Sequence, residues 1–162
     1  MRAVLQRVAS ARVEVDGEVV GAIERGLLVY LGFGQGDTTE DRAWILAKIA
    51  GARIFDDGAG KMNRSVVDVA GALLLVSQFT LYADMRRGRR PSFQQAMAPL
   101  LAEDAYRAAL AEARAFGVPV EAGRFRADMR VVSVNDGPVT LWLDSSERGA
   151  APQGRAEDAS EP

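Results

Sequence analysis

The sequence is organised around an apolar run, Leu73 to Val76, that stops abruptly at Ser77 and Gln78. A run of this length between polar residues fits a strand covered on both faces, although a short buried helix has the same pattern. The β-branched valine at its end favours the strand. Strand ends present side chains rigidly to a ligand, so the run predicts a candidate site at Ser77, Gln78, Phe79 and Thr80. A solvated sheet edge is the alternative interpretation.

Alternating apolar residues predict a strand over Met1 to Val15, and Asp16-Gly17 predicts a tight hairpin turn. Glu18 to Ile23 is then expected to return antiparallel. The nearly continuous apolar run from Leu27 to Phe33 predicts an interior strand. Shorter strands are predicted at Ala52 to Phe55, Val120 to Phe125, Met129 to Val134 and Val139 to Leu143.

Two main helices are predicted. Asp37 is expected to cap the first, with Glu40 completing a capping box. Ser92 is expected to cap a short helix that Pro99 interrupts, and the second main helix is predicted from about Leu100 to Phe116. The predicted buried face of the first helix consists of Ile45, Leu46, Ile49 and Ala50.

The chain contains neither histidine nor cysteine. Catalytic triads with histidine, cysteine–histidine dyads and the usual zinc sites are therefore excluded. A metal site would need oxygen ligands alone, and the sequence has no calcium-loop pattern, so neither a metal nor a cofactor is expected. Any chemistry must come from carboxylates, hydroxyls, backbone amides, arginine, lysine or the substrate itself.

Four arginines, Arg86, Arg87, Arg89 and Arg90, crowd one short loop that ends at Phe93. The chain has a formal net charge of -2, and residues 145–162 carry all of it, so the rest of the chain is neutral. A dense arginine patch on a neutral body indicates local recognition of an anion such as phosphate rather than whole-surface binding of nucleic acid. A solvated loop is the alternative.

The length of 162 residues fits one domain, predicted over residues 1–146. Residues 147–162 are rich in alanine, glycine, proline and glutamate and are predicted to be a disordered tail. No apolar run approaches the ~20 residues of a membrane span, and the start lacks the layout of a signal peptide. A cytoplasmic location is expected, and the absence of cysteine fits it.

Two motifs and the loop between them together resemble the D-aminoacyl-tRNA deacylase family. They are Ser77-Gln78-Phe79-Thr80-Leu81, Asn135-Asp136-Gly137-Pro138-Val139-Thr140 and the loop Gly88-Arg89-Arg90-Pro91-Ser92-Phe93. The MRAVLQRV start, the RIFDD and GKMN segments and Asp144-Ser145 extend the resemblance to about Ser146. One departure is Arg126, which stands where the family usually has a glycine in Gly-x-Phe-Gly-Ala-x-Met.

The resemblance implies an α+β fold with a mixed, largely antiparallel, barrel-like β-sheet and two main helices. It also implies a homodimer with the active site at the subunit interface. The implied activity is hydrolysis of the ester between a D-amino acid and the terminal adenosine of tRNA, and of glycyl-tRNA mischarged on tRNA-Ala. The implied partner is the 3′ CCA end of tRNA, with no DNA and no membrane.

The resemblance further implies that Gly137-Pro138 forms a cis peptide that projects into the partner's pocket, and that Arg7 braces this turn. By the same resemblance, the implied substrate-binding residues are Gly137, Pro138, Met129, Arg7, Asn135 and Thr140. The candidate catalytic residues are Thr80, Phe79, Ser77 and Gln78. Contact with the tRNA end is implied for Arg86, Arg87, Arg89, Arg90 and Phe93, together with Lys61 and Arg64.

The group that attacks the ester is left open by the sequence. Thr80 is the obvious nucleophile, but no histidine can act as its base, and Asp84 or Asp136 would need a raised pKa. We favour substrate assistance, in which backbone amides near Phe79 and Thr80 stabilise the oxyanion and the 2′-hydroxyl of the terminal adenosine activates water. A non-catalytic tRNA-end binding module and a general esterase that uses Thr80 are the alternatives.

Overall fold

A computed structural model describes residues 1–149. Its main sheet has six strands in the order β2-β1-β3-β6-β7, with β8 paired to the other edge of β1. The strands are β1 (Arg2–Val15), β2 (Glu18–Ile23), β3 (Gly26–Gly32), β6 (Ala72–Ser77), β7 (Val120–Ala122) and β8 (Arg130–Asp144). A separate small hairpin consists of β4 (Phe55–Asp56) and β5 (Met62–Arg64).

The sheet is mixed and nearly closes into a barrel. β1 pairs antiparallel with β2, β3 and β8, whereas β6 is parallel to both β3 and β7. The two ends of the strand order approach closely, because a Cβ atom placed on Gly21 of β2 would lie 2.5 Å from the carbonyl oxygen of Ala122 in β7. A glycine is needed at this contact, and the α+β, barrel-like fold expected from the sequence is confirmed.

Both faces of β6 are covered, as its apolar run predicts. Leu73 and Leu75 belong to the core cluster that includes the helix residues Ile45 and Tyr106. Leu74 and Val76 belong to a second cluster with residues of β1, including Val13. The strand is thus held rigidly from two sides, and its polar end at Ser77 has a fixed position.

The helices α1 (Thr39–Gly51) and α2 (Pro99–Arg114) are the two predicted main helices. Their ends differ from the predictions. Thr38, not Asp37, caps α1 and forms a capping box with Asp41. The Asp37 carboxylate is instead occupied, because the Gly34 amide donates to it at 2.6 Å and the Tyr82 hydroxyl at 3.2 Å.

Pro99 does not interrupt a helix but occupies the first position of α2, where a missing N–H costs nothing. The short helix predicted from Ser92 is wrong, since that residue instead pairs with Asp84 in a bridge. The two last predicted strands, over residues 129–134 and 139–143, are parts of one long strand, β8. Short 3₁₀ helices form at Phe79–Tyr82 and Ser145–Glu147.

Among the described residues, neither helix has the length and apolar character needed to cross a membrane. The prediction of disorder for residues 147–162 falls largely on residues 150–162, which lie outside the described part of the chain.

Candidate active site

A cavity of about 610 Å³ lies at the end of β6. Among the residues that line it are Ser77, Gln78, Phe79, Phe93 and Met129, five of the site residues predicted from the sequence. The other lining residues are Leu31, Phe33, Val76, Ala96, Met97, Ala98, Pro99, Ala102, Phe125, Arg126, Ala127 and Val131. The wall is therefore mostly apolar, with a few polar groups at the strand end, which is typical of a small-molecule site.

The chain leaves β6 through a turn that leaves two backbone amides unpaired. The Gln78 amide donates to the Leu31 carbonyl at 2.7 Å, which anchors the start of the turn to β3. Phe79 and Thr80 then open the 3₁₀ helix, and the first N–H groups of a helix have no partner within it. No other backbone carbonyl of residues 1–149 accepts from these two amides. They are available to an oxygen of a bound ligand.

Thr80 does not line the cavity, although it lies next to residues that do. Its hydroxyl oxygen accepts a hydrogen bond from the side-chain amide of Gln78. The same hydroxyl can still donate its own hydrogen and keeps one free lone pair. No histidine exists in the chain to remove that hydrogen. The geometry fits a positioning or donating role for Thr80 better than that of a nucleophile.

Phe79 and Phe93 connect the cavity to the arginine loop. Their rings meet edge to face, with centroids 4.9 Å apart and an interplanar angle of 69°. The loop is closed at its base because Asp84 and Ser92 exchange two backbone hydrogen bonds of 2.8 and 2.9 Å. This pairing closes the loop of residues 85–91 directly before Phe93, which lines the cavity.

Asp84 is not a candidate general base. The Arg86 guanidinium lies 2.7 Å from its Oδ2, and the hydrogen bonds from the Arg86 side chain and backbone lower the pKa of Asp84 to about 2. An acid of this strength is a poor proton acceptor at neutral pH. Within residues 1–149, the guanidinium groups of Arg87, Arg89 and Arg90 form no ion pair, and all three residues are exposed.

Arg7 is the centre of a second cluster of predicted site residues. It is buried, and its guanidinium donates to the Ile54 carbonyl at 2.6 Å and to the Asp136 carbonyl at 3.2 Å. The Asp136 carboxylate lies 3.2 Å from the same group. Nearby, the Asn135 side chain donates to the Thr140 hydroxyl at 3.0 Å and accepts from the Val139 amide. These contacts fix the segment between residues 135 and 140, where β8 bulges out of its register with β1, and we call this bulge the turn of β8.

The prediction of a cis bond between Gly137 and Pro138 is wrong, since none of the peptide bonds in the described residues is cis. The trans form is favoured for X–Pro bonds by roughly 0.5–1 kcal/mol. In this chain Gly137 takes up the bend with φ of +119°, so the turn needs no cis bond. A Cβ atom at Gly137 would lie 2.8 Å from Nη2 of Arg7, so the buried guanidinium packs tightly against this glycine.

One chain does not bring the two clusters together. None of Arg7, Asn135, Gly137, Pro138 and Thr140 lines the cavity at the end of β6. Gly137 and Pro138 are exposed to solvent. Within residues 1–149, no group of acidic side chains is arranged to hold a metal ion.

Arg126 lines the cavity but is absent from the site residues predicted by sequence. Its φ of +62° is left-handed, and the Ala127 amide donates to the Arg124 carbonyl at 3.3 Å across it. This is the third position of a turn, where a positive φ calls for glycine or asparagine. The glycine that the family usually has at this position was the available signal, because such a glycine indicates a left-handed backbone.

Replacing Arg126 with glycine is expected to raise the free energy of unfolding by about 0.5–1 kcal/mol. The left-handed conformation costs a non-glycine residue roughly 1–2 kcal/mol, which exceeds the entropic cost of glycine. Thermal unfolding measures the change. The matched control is Arg124→Gly in the same turn, where φ is not left-handed, and it should lower stability instead. Equal losses in both variants would contradict the backbone assignment.

A family model described as D-Tyr-tRNA(Tyr) deacylase matches residues 4–144. The chain belongs to this family. A D-aminoacyl-tRNA deacylase of Desulfitobacterium hafniense is 56% identical over 147 residues, covering 91% of this chain and 99% of that protein. A D-aminoacyl-tRNA deacylase of Thermotoga petrophila is 54% identical over 147 residues, with the same shares covered. The D-aminoacyl-tRNA deacylase of Sorangium cellulosum is 56% identical over 146 residues, or 90% of this chain and 97% of its own.

Solved structures share the fold of this family member. One, named as a c-Myc DNA unwinding element binding protein, superposes with a TM-score of 0.84 at 40% identity, covering 89% of this chain and 98% of that chain. A second, named as a probable eukaryotic D-amino acid tRNA deacylase, gives a TM-score of 0.75 at 20% identity, covering 88% and 97%. The second likeness concerns the fold alone.

Proposed function

We propose that this protein hydrolyses the ester bond of D-aminoacyl-tRNA and releases the D-amino acid and tRNA. The observation that carries the proposal is the cavity at the end of β6, which has Ser77, Gln78 and Phe79 on its wall, together with Phe93 at the end of the arginine loop. Its volume of about 610 Å³ lies in the range of sites that bind small organic ligands. Curated relatives more than 50% identical carry the name of this activity.

The arginine loop is the proposed contact for the 3′ end of tRNA. Arg87, Arg89 and Arg90 are exposed, and no carboxylate of the described residues neutralises them. Phe93 lies at the base of the loop and also lines the cavity. Proteins bind single-stranded RNA ends by stacking bases on aromatic rings and by pairing arginines with phosphates. The loop thus offers both kinds of contact next to the proposed reaction site. Arg86 of the same loop, and Lys61 and Arg64 at β5, are proposed as further cationic contacts for the tRNA.

The proposed site is shared between two copies of the chain. β8 pairs with β1 along one edge, and its exposed residues include Val132, Val134, Leu141 and Trp142. An edge strand with exposed apolar residues is a surface for pairing with another chain. In the proposed homodimer, the exposed Gly137-Pro138 segment of one subunit enters the cavity of the other. This arrangement would unite the two clusters that one chain keeps apart.

Chirality is then read by exclusion. The main chain of Gly137-Pro138 would crowd the position of an L side chain, while its carbonyl accepts the ammonium group of the substrate. Met129 on the cavity wall, with Asn135 and Thr140 fixing the turn, would hold this geometry. Glycine has no side chain to exclude, so glycyl-tRNA mischarged on tRNA-Ala is proposed as a second substrate.

The proposed chemistry relies on the substrate. The chain has no histidine or cysteine, the pKa of Asp84 is low, and Asp136 is engaged by Arg7. We therefore assign activation of water to the 2′-hydroxyl of the terminal adenosine. The free amides of Phe79 and Thr80 would donate to the oxyanion, and one such donor is typically worth about 3–4 kcal/mol. Because aminoacyl-tRNA is used in translation, we place the activity in the cytoplasm.

Deacylation of D- and L-tyrosyl-tRNA by the purified protein tests the proposal. We expect rapid loss of the D-ester, with the L-ester lost no faster than in buffer alone. Binding of tRNA without ester loss would instead support a tRNA-end binding module. Cleavage of small esters that lack RNA, abolished by Thr80→Ala, would support a general esterase. Equal rates on both enantiomers would contradict chiral exclusion.

A further inference from the structure

Arg126 is a charged residue in an otherwise neutral cavity. Of the described residues that line this cavity, every other one is apolar, apart from the uncharged Ser77 and Gln78. Its guanidinium forms no ion pair with any carboxylate of residues 1–149. A cation beside an apolar wall, with no partner from the described chain, is available to an anion on a ligand.

The backbone fixes the point at which this side chain leaves the cavity wall. The hydrogen bond from the Ala127 amide to the Arg124 carbonyl closes the turn around Arg126, whose left-handed φ of +62° is unfavourable for arginine. The flanking residues Phe125, Ala127 and Met129 also line the cavity, which ties the turn to its wall. Strained backbone at a ligand cavity is a pointer to function, because a mere surface residue gains nothing from it.

We propose that Arg126 contacts an anionic oxygen of the substrate and thereby raises the preference of this protein for substrates that carry this anion. The inference rests on the proposed function and deepens it. The anion has two possible sources of the same chemistry. One is the side-chain carboxylate of an acidic D-amino acid, and the other is the phosphate next to the terminal adenosine. Arginine suits either, because its planar fork can donate two hydrogen bonds to a carboxylate or a phosphate.

The effect should be measurable but moderate. Hydrogen bonds to charged groups are stronger than neutral ones, but Arg126 is exposed at the cavity, and solvent screens the interaction. We expect the contact to change kcat/KM by about tenfold. This change concerns a ratio between substrates, so it is independent of how fast the wild-type protein works on any one of them.

The experiment compares wild-type protein with Arg126→Gly and Arg126→Lys on two matched esters, D-aspartyl and D-asparaginyl. The two side chains are nearly the same size and differ in charge. Each ester is presented on whole tRNA and on adenosine alone, which lacks the neighbouring phosphate. Arg124→Gly is the control, because it removes the same charge from the same turn but from a residue that does not line the cavity.

If the amino-acid carboxylate is the ligand, Arg126→Gly lowers the aspartyl-to-asparaginyl ratio of kcat/KM about tenfold on both carriers. If the phosphate is the ligand, Arg126→Gly lowers the tRNA-to-adenosine ratio by a similar factor for both amino acids. In either case Arg126→Lys retains part of the preference. Ratios within about twofold of wild type in Arg126→Gly, or the same change in Arg124→Gly, overturn the proposal.

Failure of the proposed function can be told apart from failure of this inference. If the wild-type protein hydrolyses none of these esters, the proposed function fails, and Arg126 is judged on binding alone. The probes are then the corresponding 3′-amide analogues of D-aspartyl- and D-asparaginyl-tRNA and of their adenosine forms, with affinities measured by calorimetry. The same two ratios, now of dissociation constants, support the inference if they change about tenfold in Arg126→Gly and overturn it if they do not.

Discussion

A D-tyrosyl-tRNA that ends in 2′-deoxyadenosine should be hydrolysed about a thousandfold more slowly than the normal substrate. A well-placed proton-transfer group contributes typically ~10²–10⁴-fold to a rate, and the described residues offer no replacement for it. The chain has no histidine, and the pKa of Asp84 is held at about 2 by hydrogen bonds from Arg86. Single-turnover rates with saturating protein measure the chemical step on both substrates.

The matched variant is Thr80→Ala, assayed on the normal substrate. Its hydroxyl already accepts a hydrogen bond from Gln78 and has no base beside it, so its loss should slow turnover by less than about tenfold. Removal of the substrate's 2′-hydroxyl should therefore slow the reaction far more than removal of the Thr80 hydroxyl. Full-speed hydrolysis of the deoxy substrate together with a thousandfold loss in Thr80→Ala would replace substrate assistance with attack by Thr80.

Arg7→Ala should lower the free energy of unfolding by about 2–4 kcal/mol. The change removes a buried guanidinium and leaves the carbonyls of Ile54 and Asp136 without their donor, whereas the Asp136 carboxylate is exposed and regains water. For a domain of this size, each kcal/mol corresponds to roughly 2–4 °C in melting temperature. Thermal unfolding should therefore show a fall of about 4–16 °C.

Arg12→Ala is the control for Arg7→Ala, because Arg12 lies on the same strand and pairs with Glu14 near the surface. An exposed pair of this kind contributes about 0–1 kcal/mol. We also expect Arg7→Ala to lose activity below its melting temperature, since the turn that carries Gly137 loses its anchor. Similar melting temperatures for the two variants would show that the buried cluster around Arg7 does not hold the turn.

Much of the sheet follows from the sequence because its patterns are local. Asp16 and Gly17 both adopt positive φ, as the hairpin turn between β1 and β2 requires. The run from Leu73 to Val76 is fully buried, since each face of β6 has its own covering cluster. The residues at the end of that run then fall at the cavity, because the strand fixes where its polar tip must lie.

Other features depend on contacts between distant parts of the chain, which local patterns do not contain. Asp37 has the sequence context of a helix cap, but the Gly34 amide and the Tyr82 hydroxyl use its carboxylate, and Thr38 caps instead. The bond before Pro138 is trans, and the neighbouring Gly137 takes a positive φ beside Arg7. Arg126 lies on the cavity wall because the turn of residues 124–127 places it there, and no local pattern in the sequence contains that placement.

The separation of two clusters within one chain makes subunit complementation the most direct test of a shared site. The Cβ atom that Gly137→Ala adds would lie only 2.8 Å from Nη2 of Arg7. This substitution should therefore distort the Gly137-Pro138 segment that enters the partner. Ala98→Trp fills the cavity from an exposed lining position. Each variant alone should hydrolyse D-tyrosyl-tRNA at least about a hundredfold more slowly than wild type, because misplacement by about 1 Å costs that much.

Mixed dimers prepared by unfolding and refolding the two variants together contain one intact site, made of the Gly137→Ala cavity and the unaltered Gly137-Pro138 segment of the Ala98→Trp subunit. The deacylation rate of an equal mixture is the deciding measurement. We expect recovery of about a quarter of the wild-type rate, since half of the dimers are mixed and each has one working site. A mixture no faster than the two variants assayed separately would contradict a site shared between subunits.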